Sequence, residues 1–142
     1  MTNKYPETQK SVMPLHTLLY VENNPANLMV VAELIERQPE VRFLSALTGE
    51  QGIMMARQYL PDVILMDINL GGMGIGGLET LKILAQDPVT AHIPVIALSS
   101  SAAPCNIKEG LEAGFFQYVT KPFKLCELME ILDKAFRHAK NR

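Results

Sequence analysis

A chain of 142 residues matches one domain in length and can bury a core without disulfide or metal staples, which excludes a two-domain architecture. With 48% apolar and 20% charged residues it is neither a disordered tail nor a membrane protein. Fifteen acidic against 13 basic side chains leave a net charge of −2, too balanced to point to nucleic acid or an anionic membrane as partner. Residues 1–14 are polar and carry two prolines but no signal-peptide stretch, so they are expected to form a flexible N-terminal segment before a single cytoplasmic domain over 15–142. Cys105 and Cys126 form no CxxC pair, and His16, His92 and His138 are scattered; free thiols and no zinc site are the expectation.

In chain order, short apolar runs alternate with segments of helical period. Residues 17–21 (TLLYV) read as a first strand. Asn24 as N-cap and Pro25 at the first helical position then open a helix striped by Leu28, Val31, Ala32 and Ile35 and closed before Pro39. Residues 41–45, interrupted by Arg42, suit an edge strand. Thr48 and Gln51 make a capping box for a second helix through Ile53, Ala56 and Leu60, stopped by Pro61. Residues 63–66 and 95–98 are continuously apolar, as central strands covered on both faces must be. The helix between them carries Leu78, Leu81, Leu84 and Ala85. A weaker one follows, with only Ile107 and Leu111 on its stripe, Gly110 inside and Gly114 at its end. Residues 117–120 form the fifth strand, and Leu125, Leu128, Met129, Leu132, Ala135 and Phe136 give the last helix one broad apolar face.

Five such βα units require right-handed crossovers with helices on both sides of a parallel sheet. The expected class is α/β: a flavodoxin-like, doubly wound (βα)5 fold with a five-stranded parallel sheet in the order 2-1-3-4-5. Ligands in such sheets sit at the carboxyl ends of the strands, by the switch between strands 1 and 3. There the chain places Glu22 and Asn23, Asp67, Ser99 and Lys121. Two converging carboxylates favour a hard cation with oxygen ligands, Mg²⁺ above all. A lysine opposite them suits phosphate oxygens, and a serine hydroxyl can bond the same group. The set reads as phosphoryl chemistry with Asp67, ending a rigid apolar strand, as the nucleophile.

The stretches LLYVENNPANL, PDVILMDINL, IPVIALSSSA and GFFQYVTKPF follow one another over residues 15–138 in the way of a known family. The chain resembles the receiver domain of two-component response regulators, and more narrowly the receivers of hybrid sensor kinases. The resemblance implies that Asp67 accepts a phosphoryl group from the histidine of a sensor kinase or phosphotransfer protein. It implies Mg²⁺ held by Glu22, Asn23, Asp67 and the Asn69 main-chain carbonyl, with Lys121 on the phosphoryl group and a cis peptide at Lys121-Pro122. Ser99 would move to bond that group and let the ring of Tyr118 turn inward. A downstream protein or a second copy would then dock on the face made by the fourth helix, fifth strand and fifth helix. Neither nucleic acid nor membrane is expected. The chain would be a signalling phosphoacceptor rather than an enzyme, with Asn69 and Ser101 resembling positions that tune dephosphorylation.

Two departures stand out. Asn23 replaces an aspartate that usually ligates the metal, so Mg²⁺ binding is expected to be weak, by on the order of a few kcal/mol for one charge close to a divalent ion. The run Gly71-Gly72-Met73-Gly74-Ile75-Gly76-Gly77 replaces the family's Pro-Gly turn and predicts a mobile loop beside Asp67. It also spells GxGxxG, but without a tight strand-to-helix turn or an acid for a ribose it reads as a loosened loop, not a dinucleotide site. A dehalogenase-type phosphatase would need a carboxylate at Asn69, and a flavodoxin a hydroxyl-rich loop in place of Glu22 to Pro25. The remaining alternative is a phosphorylation-independent pseudo-receiver, an interaction module with a disabled metal site. Basic residues closing the last helix complement its dipole. Phe116 is the expected exposed aromatic for partner binding.

Overall fold

The computed structural model describes residues 15–70, 74–100 and 104–140, apart from the side chains of 104 and 105. The N-terminal segment, the mobility expected at 71–73, Ser101 and the thiol of Cys105 therefore lie outside the described residues. Five strands, β1 (His16–Val21), β2 (Val41–Ala46), β3 (Val63–Asp67), β4 (Val95–Ser99) and β5 (Gln117–Thr120), pair in parallel in the order β2-β1-β3-β4-β5. Helices α1 (Pro25–Glu36), α2 (Gly49–Tyr59), α3 (Gly77–Gln86), α4 (Pro104–Ala113) and α5 (Leu125–Lys140) alternate with them, giving the expected flavodoxin-like (βα)5 arrangement. None of the described helices is long and apolar enough to cross a membrane.

Successive strand residues face opposite sides, so each apolar strand feeds two cores. Leu18, Tyr20, Leu65, Ile96 and Leu98 meet Val31 and Ile35 of α1 and Leu128, Leu132 and Phe136 of α5. Leu19, Val21, Ile64, Met66 and Ala97 meet Ala56 of α2 and Leu81 and Leu84 of α3 on the other side. Leu132 is fully buried in the first core. Leu132→Ala is expected to cost about 2–5 kcal/mol, read as a lower urea midpoint at unchanged slope. Leu125→Ala, at a side chain 50% exposed, should stay within about 0.5 kcal/mol.

The boundaries move by one residue where it matters. β3 and β4 each run one position beyond the apolar run, because Asp67 pairs with Leu98 and Ser99 with Thr120 in the ladder. Both polar side chains thus hang from sheet backbone rather than from loops. The buried helical faces are narrower than the periodic stripes: Leu125 and Leu111 are exposed, while Leu34 and Ala139, off the expected stripes, are buried. The capping box is also shifted. Thr48 accepts from the Gln51 N–H at 3.1 Å, but Gln51 Oε1 accepts from Leu47 N–H at 2.7 Å, one residue before the cap. Phe116 is not an exposed aromatic: it packs on the first core, with its ring centroid 5.0 Å from that of His138.

Candidate functional site

The carboxyl ends of β1, β3 and β5 bring Glu22, Asp67 and Lys121 together. Asp67 is 4% exposed, and its Oδ2 accepts from Lys121 Nζ at 2.9 Å. Its Oδ1 accepts from the Asn69 N–H, also at 2.9 Å, so both carboxylate oxygens are held. The same Nζ lies 3.8 Å from Glu22 Oε1, so one half-buried ammonium faces two buried carboxylates. Lys121 starts from a fixed point, since its N–H donates to the Ser99 carbonyl at 2.8 Å. Its bond to Pro122 is cis, as the resemblance implies.

Glu22 has two further donors: Tyr20 Oη at 2.8 Å on Oε1 and Asn24 N–H at 3.1 Å on Oε2. Burial still pushes its carboxyl above the ordinary carboxylate range, with the neighbouring Asp67 side chain acting in the same direction against the pull of those donors. Burial and the adjacent carboxylates keep the Tyr20 hydroxyl protonated far above its ordinary value. In the window between the ordinary and the raised value of Glu22, the folded chain binds a proton that the unfolded chain has released. The stability contributed by this group is therefore complete below the ordinary value and falls as pH rises through the window. The urea midpoint of metal-free protein should show that decline, and Glu22→Gln should flatten it; an equally steep profile in the variant would contradict the assignment.

Asn23 directs its amide nitrogen to the Leu70 carbonyl, 2.8 Å away. Ser99, buried, and Tyr118, half-buried, line one cavity of about 170 Å³ beside Asn69, with Ile68, Leu78 and Gly110. Gly110 is required there because a Cβ would stand 2.8 Å from the Tyr118 ring. Gly77 is required too: a Cβ would lie 2.7 Å from Ile68 Cα and 3.0 Å from the Asp67 carbonyl oxygen, so the start of α3 abuts the end of β3 backbone to backbone. This glycine serves a close approach rather than loop freedom.

Of the expected residues, Glu22, Asp67 and Lys121 meet directly. Asn23 and Asn69 flank them, and Ser99 and Tyr118 share the adjoining cavity. Sequence reasoning missed Tyr20, the Leu70 carbonyl and the role of Gly110. Tyr20 could have been found: it is a hydroxyl within the apolar part of the strand and stands two residues before Glu22, on the same side of the sheet.

The family model of the response regulator receiver domain matches residues 18–133. The polar-differentiation response regulator DivK of Brucella ovis is 31% identical over 116 residues, covering 82% of this chain and 92% of that protein. The receiver domain of a sensor histidine kinase from Pseudomonas aeruginosa PAO1, with a magnesium ion coordinated in its active-site cleft, is similar at a TM-score of 0.76 and 29% identity, covering 85% of this chain and 97% of that one. A phosphorylated cyanobacterial phytochrome response regulator gives a TM-score of 0.70 and 27% identity over 84% of this chain and 89% of its own. The chain belongs to the response regulator receiver family of two-component signalling.

Proposed function

We propose that the chain is a phosphoacceptor switch in which Asp67 takes a phosphoryl group from the histidine of a sensor kinase or phosphotransfer protein. The observation that carries this reading is the ammonium of Lys121 held 2.9 Å from a buried strand-end carboxylate and 3.8 Å from a second one. In the transfer an Asp67 oxygen attacks phosphorus, the P–N bond to the donor imidazole breaks, and the imidazole leaves with the electron pair. The Asn69 N–H and Lys121 keep the carboxylate oriented beforehand, and Lys121 offsets the negative charge of the arriving group.

The donor set fits Mg²⁺. Two buried carboxylates offer hard oxygens, and one or two carboxylates are what Mg²⁺ usually takes from a protein. Among the described residues no group of three His, Cys, Asp or Glu side chains is placed to hold a metal, so the remaining protein oxygens come from amides. Glu22, Asn23, Asp67 and the Asn69 main-chain carbonyl would hold the ion. When bound it neutralises charge on the transferring phosphoryl oxygens. Asn23 brings an oxygen without charge, which sets the affinity below that of a site with a third carboxylate.

The relay runs from Ser99, which bonds the phosphoryl group, to the Tyr118 ring, for which the shared cavity provides room. Output passes to the face formed by α4, β5 and α5, where Ile107, Lys108, Leu111 and Glu112 line an open groove suited to a protein partner or a second copy. The same reading places the chain in the cytoplasm and makes it a signalling protein rather than an enzyme.

The test is an amide NMR titration of folded protein with Mg²⁺ and then beryllofluoride. Shifts at Asp67, Ser99 and Tyr118 are expected. Their absence at millimolar Mg²⁺ would favour the phosphorylation-independent interaction module instead.

A further inference from the structure

We infer that Asn23 is a positioning residue of the acceptor loop, a strut that fixes the main chain around Asn69 before any cation arrives; its purpose rests on the phosphoacceptor reading, its geometry does not. Asn69 lies between two anchors. Its own N–H is held by Asp67 Oδ1 at 2.9 Å, and the carbonyl of the next residue, Leu70, accepts from Asn23 Nδ2 at 2.8 Å. The Leu70 side chain is itself buried, which pins the same point from below. The carbonyl that would face the metal is thus bracketed on both sides.

The base of the strut is equally firm. Immediately before Asn23, the Glu22 N–H donates to the Ala46 carbonyl at 2.9 Å. Immediately after it, Asn24 caps α1, its Oδ1 accepting from Ala26 N–H at 2.8 Å and Asn27 N–H at 3.3 Å. A short side chain springing from such a base transmits that rigidity across 47 residues of sequence to the end of β3.

Chemistry dictates the residue type. A carbonyl oxygen has no proton to give, so the atom facing it at 2.8 Å must be a donor. Aspartate there would set two acceptors against each other with no hydrogen between them. Position 23 can supply a charged ligand or a strut, not both. Asparagine gives up the charge but keeps one oxygen for a cation while its nitrogen orders a neighbouring ligand, so a deficit in electrostatics is offset by preorganisation.

The test is amide hydrogen exchange on metal-free protein, with Asn23→Ala and Asn23→Asp beside the parent chain. Both variants should exchange the Asn69 amide about tenfold faster or more, as a locally opened loop does. The Ile68 amide, bonded to the Leu98 carbonyl at 2.9 Å within the sheet, should keep its rate. In the parent chain, one proton of the Asn23 amide should be slow to exchange. Unchanged Asn69 rates in both variants, or two Asn23 amide protons exchanging at the solvent rate, would overturn the inference, and the second measurement needs no variant to fold. Neither readout involves metal or phosphoryl group, so a chain that keeps the protection but ignores beryllofluoride would lose the switch and retain the strut.

Discussion

Asp67→Asn should take up no phosphoryl group at all. With acetyl phosphate and Mg²⁺, the parent chain should gain the mass of one phosphoryl group and the variant none, because an uncharged amide oxygen is too weak a nucleophile to attack phosphorus and cannot form the acyl phosphate that a carboxylate forms. The fold should survive. Asn is the same shape, its Oδ1 can still accept from the Asn69 N–H, and Lys121, 26% exposed, keeps the Glu22 carboxylate 3.8 Å away as well as access to solvent. Stability should therefore change by no more than about 1 kcal/mol, as for other partly exposed ion pairs. Labelling that persists in the variant would move the acceptor elsewhere and end the present assignment.

The second large effect concerns Lys121, and its signature is two changes of opposite sign. Lys121→Met removes the positive charge that stands 2.9 Å from Asp67 and 3.8 Å from Glu22. A divalent cation entering that pocket no longer competes with an ammonium for the same oxygens. At the effective dielectric of a near-surface pair, one unit-charge interaction at about 4 Å is worth roughly 4 kcal/mol before screening and relaxation, so a tenfold fall in the Mg²⁺ dissociation constant, about 1.4 kcal/mol, is a modest expectation. Mg²⁺ should bind about tenfold tighter in a calorimetric titration. Phosphorylation should slow by about a hundredfold or more, the usual cost of removing one charged or hydrogen-bonding group aimed at a transferring centre. A merely structural lysine would not separate the two. Weaker Mg²⁺ binding in the variant would mean that Lys121 organises the carboxylates rather than neutralising them.

Much of this is legible in the amino-acid sequence. The uninterrupted apolar runs that become β3 and β4 marked central strands, and the polar residue ending each one marked the rim where a doubly wound sheet binds. Asp67 could thus be singled out, and Lys121 with it. What could not be read was contact between distant segments. Asn23 looked like a ligand with a missing charge, because nothing in the sequence reveals that its nitrogen meets Leu70. Periodicity gives Leu111 and Leu125 a place on the core stripes, but period alone does not say which residues of a stripe the core covers, and both side chains are exposed. By sequence the glycines after Asp67 imply slack. For Gly77 the opposite holds, since two backbones touch there and no side chain fits between them.

That touch between the start of α3 and the end of β3 works in concert with the amide clasp on the loop between them. The chain leaving Asp67 is fastened at Leu70 by the one and at Gly77 by the other, so this carboxylate takes its bearing from two separate layers of the molecule.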